Sequence, residues 1–96
     1  MDYQVLYTDR SLVDLEELIG WIAIDGSSAA SRFGTTLLDH IDLLGRFPRM
    51  GAVYSHSGGV RRLVHGPILV YYTIQEDQRR VEVLHVRHGS RAPAVF

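Results

Sequence analysis

The chain has 96 residues, 46% of them hydrophobic, which is one domain's worth with enough apolar mass for a core and too much for disorder. It has no cysteine, which excludes a disulfide framework and every thiolate metal site. Its net charge of −1 hides an asymmetry: residues 1–45 carry two arginines against eight acidic residues, a net of −6, and residues 46–96 carry eight arginines against three, a net of +5. Such a split implies an anionic partner for the basic half, or two oppositely charged faces that attract each other. All ten strongly basic residues are arginine, so no lysine is available as a general base or Schiff-base group.

The opening MDYQVLY has neither the basic stretch nor the long apolar run of a secretory signal, and no apolar run approaches the ~20 residues that cross a bilayer. The expected location is the cytoplasm, with no membrane partner. The whole chain, residues 1–96, reads as a single domain without repeats or linkers.

Tyr3, Val5 and Tyr7 alternate with Gln4, Leu6 and Thr8, which predicts a first strand. Thr8 or Asp9 can cap a helix whose apolar stripe is Leu12, Leu15, Ile19 and Ile22, with Leu18 alongside; Asp14, Glu16 and Glu17 fall mostly off that stripe. This helix ends at Asp25-Gly26. Ser27 or Ser28 can cap a second helix, striped by Ala30, Phe33, Leu37, Ile41 and Leu44 and stopped at Phe47-Pro48. The short connection makes the two helices an antiparallel hairpin.

Residues 51–59, GAVYSHSGG, have glycine at both ends and little periodicity, and read as a loop. Three strands follow at Val60–His65, Ile68–Gln75 and Arg80–His88, joined by turns at Gly66-Pro67 and Glu76-Asp77-Gln78. The order β-α-α-β-β-β predicts an α+β two-layer sandwich, with the helical hairpin on one face of a mostly antiparallel four-stranded sheet.

Alternation in the last strand places Val81, Val83, His85 and Arg87 on one face and Glu82, Leu84, Val86 and His88 on the other. Basic groups therefore gather where this strand leaves the core. His85 and His88 point to opposite faces and cannot chelate one ion, and neither His56 nor His65 completes a metal spacing, so no metal or cofactor is expected. Tyr71 and Tyr72 also take opposite faces, one toward the core and one toward the open side.

The chain resembles the RelE/ParE superfamily of toxins from type II toxin–antitoxin modules. The resemblance rests on Tyr7-Thr8 leading to Asp14-Leu15, on Ala29-Ala30-Ser31-Arg32-Phe33, and on Phe47-Pro48-Arg49-Met50-Gly51. It continues through Val60-Arg61-Arg62-Leu63, Gly66 and Leu69-Val70-Tyr71-Tyr72 to the ending Val83-Leu84-His85-Val86-Arg87-His88-Gly89-Ser90-Arg91. It covers nearly the whole chain and implies the same fold. It implies a toxin held by a cognate antitoxin of ribbon-helix-helix or similar DNA-binding type, in a hetero-oligomer. RelE-like members cut messenger RNA on the ribosome, whereas ParE-like members inhibit DNA gyrase.

The residues place the chain nearer the ParE branch. The loop before the meander has only His56 where RelE-like nucleases carry basic residues. Ile68 stands where they carry an arginine, and no tyrosine follows Arg91. On this reading Arg61, Arg62, Arg87 and Arg91 form the target-binding patch, and Trp21 and Tyr72 meet the antitoxin. Arginine suits such interfaces through its planar fork of donors. The competing arrangement pairs the same arginines with Glu76, Asp77 and Glu82. If the protein is instead a metal-independent endoribonuclease, its acid–base and phosphate-binding set is His85, Arg87, His88 and Arg91; the remaining alternative is an inactive member that only binds its antitoxin.

Overall fold

The computed structural model describes residues 2–90. Strand β1 (Gln4–Tyr7) leads into helix α1 (Asp9–Ile22), then helix α2 (Ser27–Asp42), which tightens into a 3-10 turn over Leu43–Gly45. Strands β2 (Ala52–Ser55), β3 (Val60–His65), β4 (Ile68–Gln75) and β5 (Arg80–His88) complete one five-stranded sheet in the order β1-β5-β4-β3-β2. β1 runs parallel to β5, and the remaining neighbours are antiparallel. The α+β class and the helical pair hold as read from the sequence.

The fifth strand, β2, corrects the loop expected over residues 51–59. Ala52 and Val53 register with Arg62 and Arg61, and a bulge precedes the pair Ser55–Val60. Three of its four residues are exposed, so no buried face imprints an alternation on the sequence. Its structure comes from pairing with β3. Gly51 just before it approaches its neighbours closely, since a Cβ there would lie 2.6 Å from the Tyr72 hydroxyl and 2.9 Å from the Arg62 carbonyl.

Thr8 caps α1 as expected, its side chain accepting from the Ser11 amide at 3.2 Å. For α2 the serine caps give way to Gly26, whose φ of 144° belongs to a conformation that side chains rarely adopt. Leu15, Leu18, Leu37, Ile41 and Leu44 then pack on Leu63, Ile68, Val70, Tyr72, Val81, Val83 and Val86 of the sheet. Leu12 is half exposed, while Asp14 is buried, so α1 is rolled slightly from the stripe expected of it.

One irregularity decides what β5 presents. Tyr71 registers with His85 but Tyr72 with Val83, leaving Leu84 as an extra residue. This bulge shifts the alternation by one. Val81, Val83 and Val86 therefore all reach the helix side, and the face predicted to join Val81 and Val83 with His85 and Arg87 is split. Tyr71 and Tyr72 do take opposite faces, yet both are buried.

Candidate functional site

Pairing partners in an antiparallel sheet point to the same side. The row Arg62–Tyr71–His85 and the adjoining row Val64–Leu69–Arg87 therefore share the face turned away from the helices. Tyr54 packs edge-on against Tyr71 with ring centroids 4.9 Å apart, and the Arg62 guanidinium lies 5.4 Å from the Tyr54 ring centre. Tyr71 and His85 rings sit 6.3 Å apart. The helix-free face at the exit of β5 thus joins two arginines, a histidine and two tyrosines.

Arg87 is only 7% exposed, and among the described residues it has no ion pair or hydrogen bond to its side chain. Among the described residues the one buried side-chain polar atom without a partner is Arg80 Nε, so the largely buried Arg87 keeps its guanidinium in touch with solvent on this face. Of the acids expected to compete for these arginines, Glu76 is engaged elsewhere. Glu76 bonds Arg49 and the Tyr3 hydroxyl, and that hydroxyl bond first, then Arg49, holds its carboxyl below the usual range.

His85 is anchored from behind. Its Nδ1 meets Asp14 Oδ2, and the same oxygen accepts the Val86 amide at 3.0 Å. Arg10 Nε lies 3.1 Å from the other oxygen. The topology explains this arrangement. β1 stops at Tyr7, so the next part of β5 loses its parallel neighbour. Thr8 takes over that edge, its amide and hydroxyl reaching the Val83 carbonyl at 3.1 and 2.9 Å, and one turn and a half later Asp14 receives the Val86 amide. Asp14 was missed as a site residue. The available signal was its spacing: Ser11, Asp14, Leu15, Leu18 and Ile22 form one helical face, on which Asp14 is an ionisable group among buried neighbours.

The other predicted residues divide. Arg61 faces the helix side, and its Nη1 donates to the Gly51 carbonyl at 2.6 Å, so it braces the β2 turn instead of joining Arg62. His88 also leaves the patch: it faces Trp21 edge-on at 6.5 Å and accepts the Ser90 amide on Nδ1 at 3.2 Å. Trp21 is 61% exposed on α1. Tyr72 is fully buried, its hydroxyl donating to the Pro48 carbonyl at 2.6 Å and accepting the Gly51 amide at 3.0 Å. Burial raises its phenol's pKa above the ordinary value. It offers no surface to a partner in this fold. Arg91 lies outside the described residues. No group of three or more metal-binding side chains occurs among the described residues, and none of their helices is long and apolar enough to cross a membrane.

Fold and site together define a small two-layer α+β domain with Arg62, His85 and Arg87 on the helix-free side of its sheet. The family model described as the ParE toxin of type II toxin–antitoxin systems, parDE, matches residues 5–93. The chain belongs to this ParE toxin family, within the RelE/ParE superfamily of type II toxins. Solved structures of like fold include the chromosomal ParDE toxin–antitoxin system from P. aeruginosa, at 17% identity and a TM-score of 0.77 over 90% of this chain and 95% of that one. The toxin–antitoxin complex RelBE2 from Mycobacterium tuberculosis matches at 22% identity and 0.71, over 92% and 99%. The isolated E. coli RelE toxin matches at 16% and 0.62, over 94% and 87%. A search of curated proteins returned no match.

Proposed function

We propose that this toxin acts by binding, blocking DNA gyrase through the helix-free face at the exit of β5 without a reaction of its own. The observation that carries the reading is Arg87: a cation 7% exposed, unpaired among the described residues, on one face with Arg62. Membership of the ParE family supports gyrase as the target. A cognate antitoxin of ribbon-helix-helix or similar type neutralises it in a cytoplasmic hetero-oligomer. The surface suited to that partner is α1 and its end, where Leu12, Val13, Trp21 and Ile24 are exposed. A segment that folds on binding would cover them.

One observation favours a second reading, ribosome-dependent RNA cleavage. A carboxylate on His85 Nδ1 orients the ring as a general base is oriented. Purified protein in a gyrase supercoiling assay, and in translation with primer-extension mapping of the message, separates the two. Supercoiling is expected to fall while the message stays intact. Codon-phased cuts with normal supercoiling would overturn the gyrase reading and make His85 the first residue to replace.

A further inference from the structure

Among the described residues the sheet ends in two edges that no further strand covers, β1 and β2, and their surroundings carry opposite charge. At the β1 end, Gln4 and Thr8 turn their amides to β5, bonding the Arg79 and Val83 carbonyls at 3.0 and 3.1 Å. Inward and outward groups alternate along a strand, so Tyr3, Val5 and Tyr7 turn their backbone groups away from the sheet. The Tyr3 amide is taken by the Gly45 carbonyl at 2.7 Å, which leaves Val5 and Tyr7 as the open part of the edge. A cavity of about 380 Å³ lies beside it, with Asp2, Val5, Asp39, Asp42 and Arg46 in its lining. Three carboxylates there stand against one guanidinium, and the C-terminal end of α2 adds the negative end of its dipole.

At the other end, the four residues of β2, Ala52-Val53-Tyr54-Ser55, include no charge and no proline, the usual guards of an exposed edge, and Val53 is 46% exposed. The next strand in carries Arg61 and Arg62. The strand directions match as well. β1 runs parallel to β5, and each further step across the sheet reverses direction, so β2 runs opposite to β1. A second molecule set beside the first in the same orientation therefore brings its β1 antiparallel to the first molecule's β2, with both helical layers on one side of a continuous sheet. Val53 pairs with Arg61 and so faces the helix side, where the cavity beside Val5 lies and where Asp39 and Asp42 end α2.

We propose that this protein associates with a second copy of itself head to tail, the open edge of β1 in one molecule receiving β2 of the next. Val53 enters the cavity beside Val5, and the acids there attract the Arg61–Arg62 pair behind it. The two surfaces differ, so the contact is heterologous and does not close into a two-fold dimer. The bulge after Val53 keeps the paired stretch short, which makes the association weak and dependent on concentration and salt. The inference goes beyond the target reading and does not rest on it.

Sedimentation velocity of the full chain over a wide concentration range, in low and in high salt, tests it. In low salt the average mass should rise with concentration past that of a dimer, and high salt should return it to the monomer. Val53→Asp sets an acid against the acidic cavity, and the double variant Asp39→Arg with Asp42→Arg sets cations against Arg61 and Arg62. Each alone should stay monomeric. An equal mixture of the two should associate, because the first keeps its β1 edge and the second its β2 edge. Amide exchange of the unaltered chain gives a readout that needs no variant: Val5 and Tyr7 should gain protection as concentration rises, while Leu6, turned toward β5, should not change. A monomer at every concentration in low salt, a mass that levels at the dimer, association of either variant alone, or a mixture that stays monomeric overturns the proposal. Protection of Val5 and Tyr7 only on adding the cognate antitoxin, in a chain otherwise monomeric, would give the edge to that partner and overturn the second copy.

Discussion

Tyr72 and Asp14 are both buried polar groups that tie the sheet to the rest of the chain, and their surroundings differ in kind. Tyr72 lies on the helix side. Its hydroxyl bonds Pro48 and Gly51, and Arg61 takes the Gly51 carbonyl, so the neutral groups at this corner are satisfied by one another. Asp14 lies at the edge of β5, where charged groups meet and where Arg87 nearby has no partner among the described residues. The first cluster closes on itself and serves stability. The second leaves the Arg87 head without a protein partner and open to solvent on the helix-free face, an arrangement that contributes little to stability.

The largest effect is expected at the closed corner. In Gly51→Ala the new Cβ would stand 2.6 Å from the Tyr72 hydroxyl and 2.9 Å from the Arg62 carbonyl, neither of which is the free end of a flexible side chain. Overpacking of this kind costs about 3 kcal/mol. Urea unfolding should show it as a lower midpoint at unchanged slope. A variant as stable as the parent would mean the corner is looser than described. Tyr72→Phe comes next. It leaves the Gly51 amide and the Pro48 carbonyl without that hydroxyl, a loss of about 2 kcal/mol for buried groups. Neither change touches the helix-free face, so target binding per folded molecule should persist.

The helix-side core and the order of the elements were legible because their residues recur at helical or alternating spacing over long stretches. Leu37, Ile41 and Leu44 of α2 and its 3-10 turn ended where spacing put them, and of the two tyrosines expected on opposite faces Tyr72, assigned to the antitoxin surface, is the one in the helix-side core. β2 was not legible, because a four-residue edge strand with exposed side chains carries no period. The bulge at Leu84 was not legible either: an extra residue is invisible until two strands are paired, and it moved Val86 to the core while His85 and Arg87 stayed opposite. For the site, Arg62 and Arg87 could be read as basic residues near a strand end. That Arg61 belongs to the structural corner and Arg62 to the patch needed the register of β3. Asp14 was overlooked because a charge on a helix is ordinarily taken as solvent-facing, although its spacing placed it inward.

A smaller effect sharpens the comparison through pH. His40 and His65 approach with their Nδ1 atoms 2.8 Å apart, between α2 and β3, with Phe33 edge-on to His65. Burial, then the charge of His40, lowers the His65 pKa below its ordinary value. The unfolded chain therefore takes up the proton first as pH falls. The stability contribution is complete above the ordinary histidine value of about 6.5 and declines as pH drops below it toward the folded value. Melting at pH 7.5 and 5.5 should show a lower midpoint in acid, and His65→Gln should flatten the difference. An unchanged difference in that variant would place the acid sensitivity elsewhere.

The smallest change in stability should come from the residue with the largest consequence for function. Arg61 and Arg62 are neighbours in sequence and opposite in direction. Arg61→Ala removes the 2.6 Å bond to the Gly51 carbonyl and should cost about 1 kcal/mol. Arg62→Ala removes a partly exposed guanidinium stacked near Tyr54, and should stay within about 0.5 kcal/mol of the parent. In the supercoiling assay the order should reverse, with Arg62→Ala the weaker inhibitor and Arg61→Ala close to the parent once its folded fraction is matched. Equal inhibition by both variants would detach the helix-free face from the target, since only Arg62 shares that face with Arg87. Loss confined to Arg61→Ala at matched folding would move the binding surface to the β2 corner.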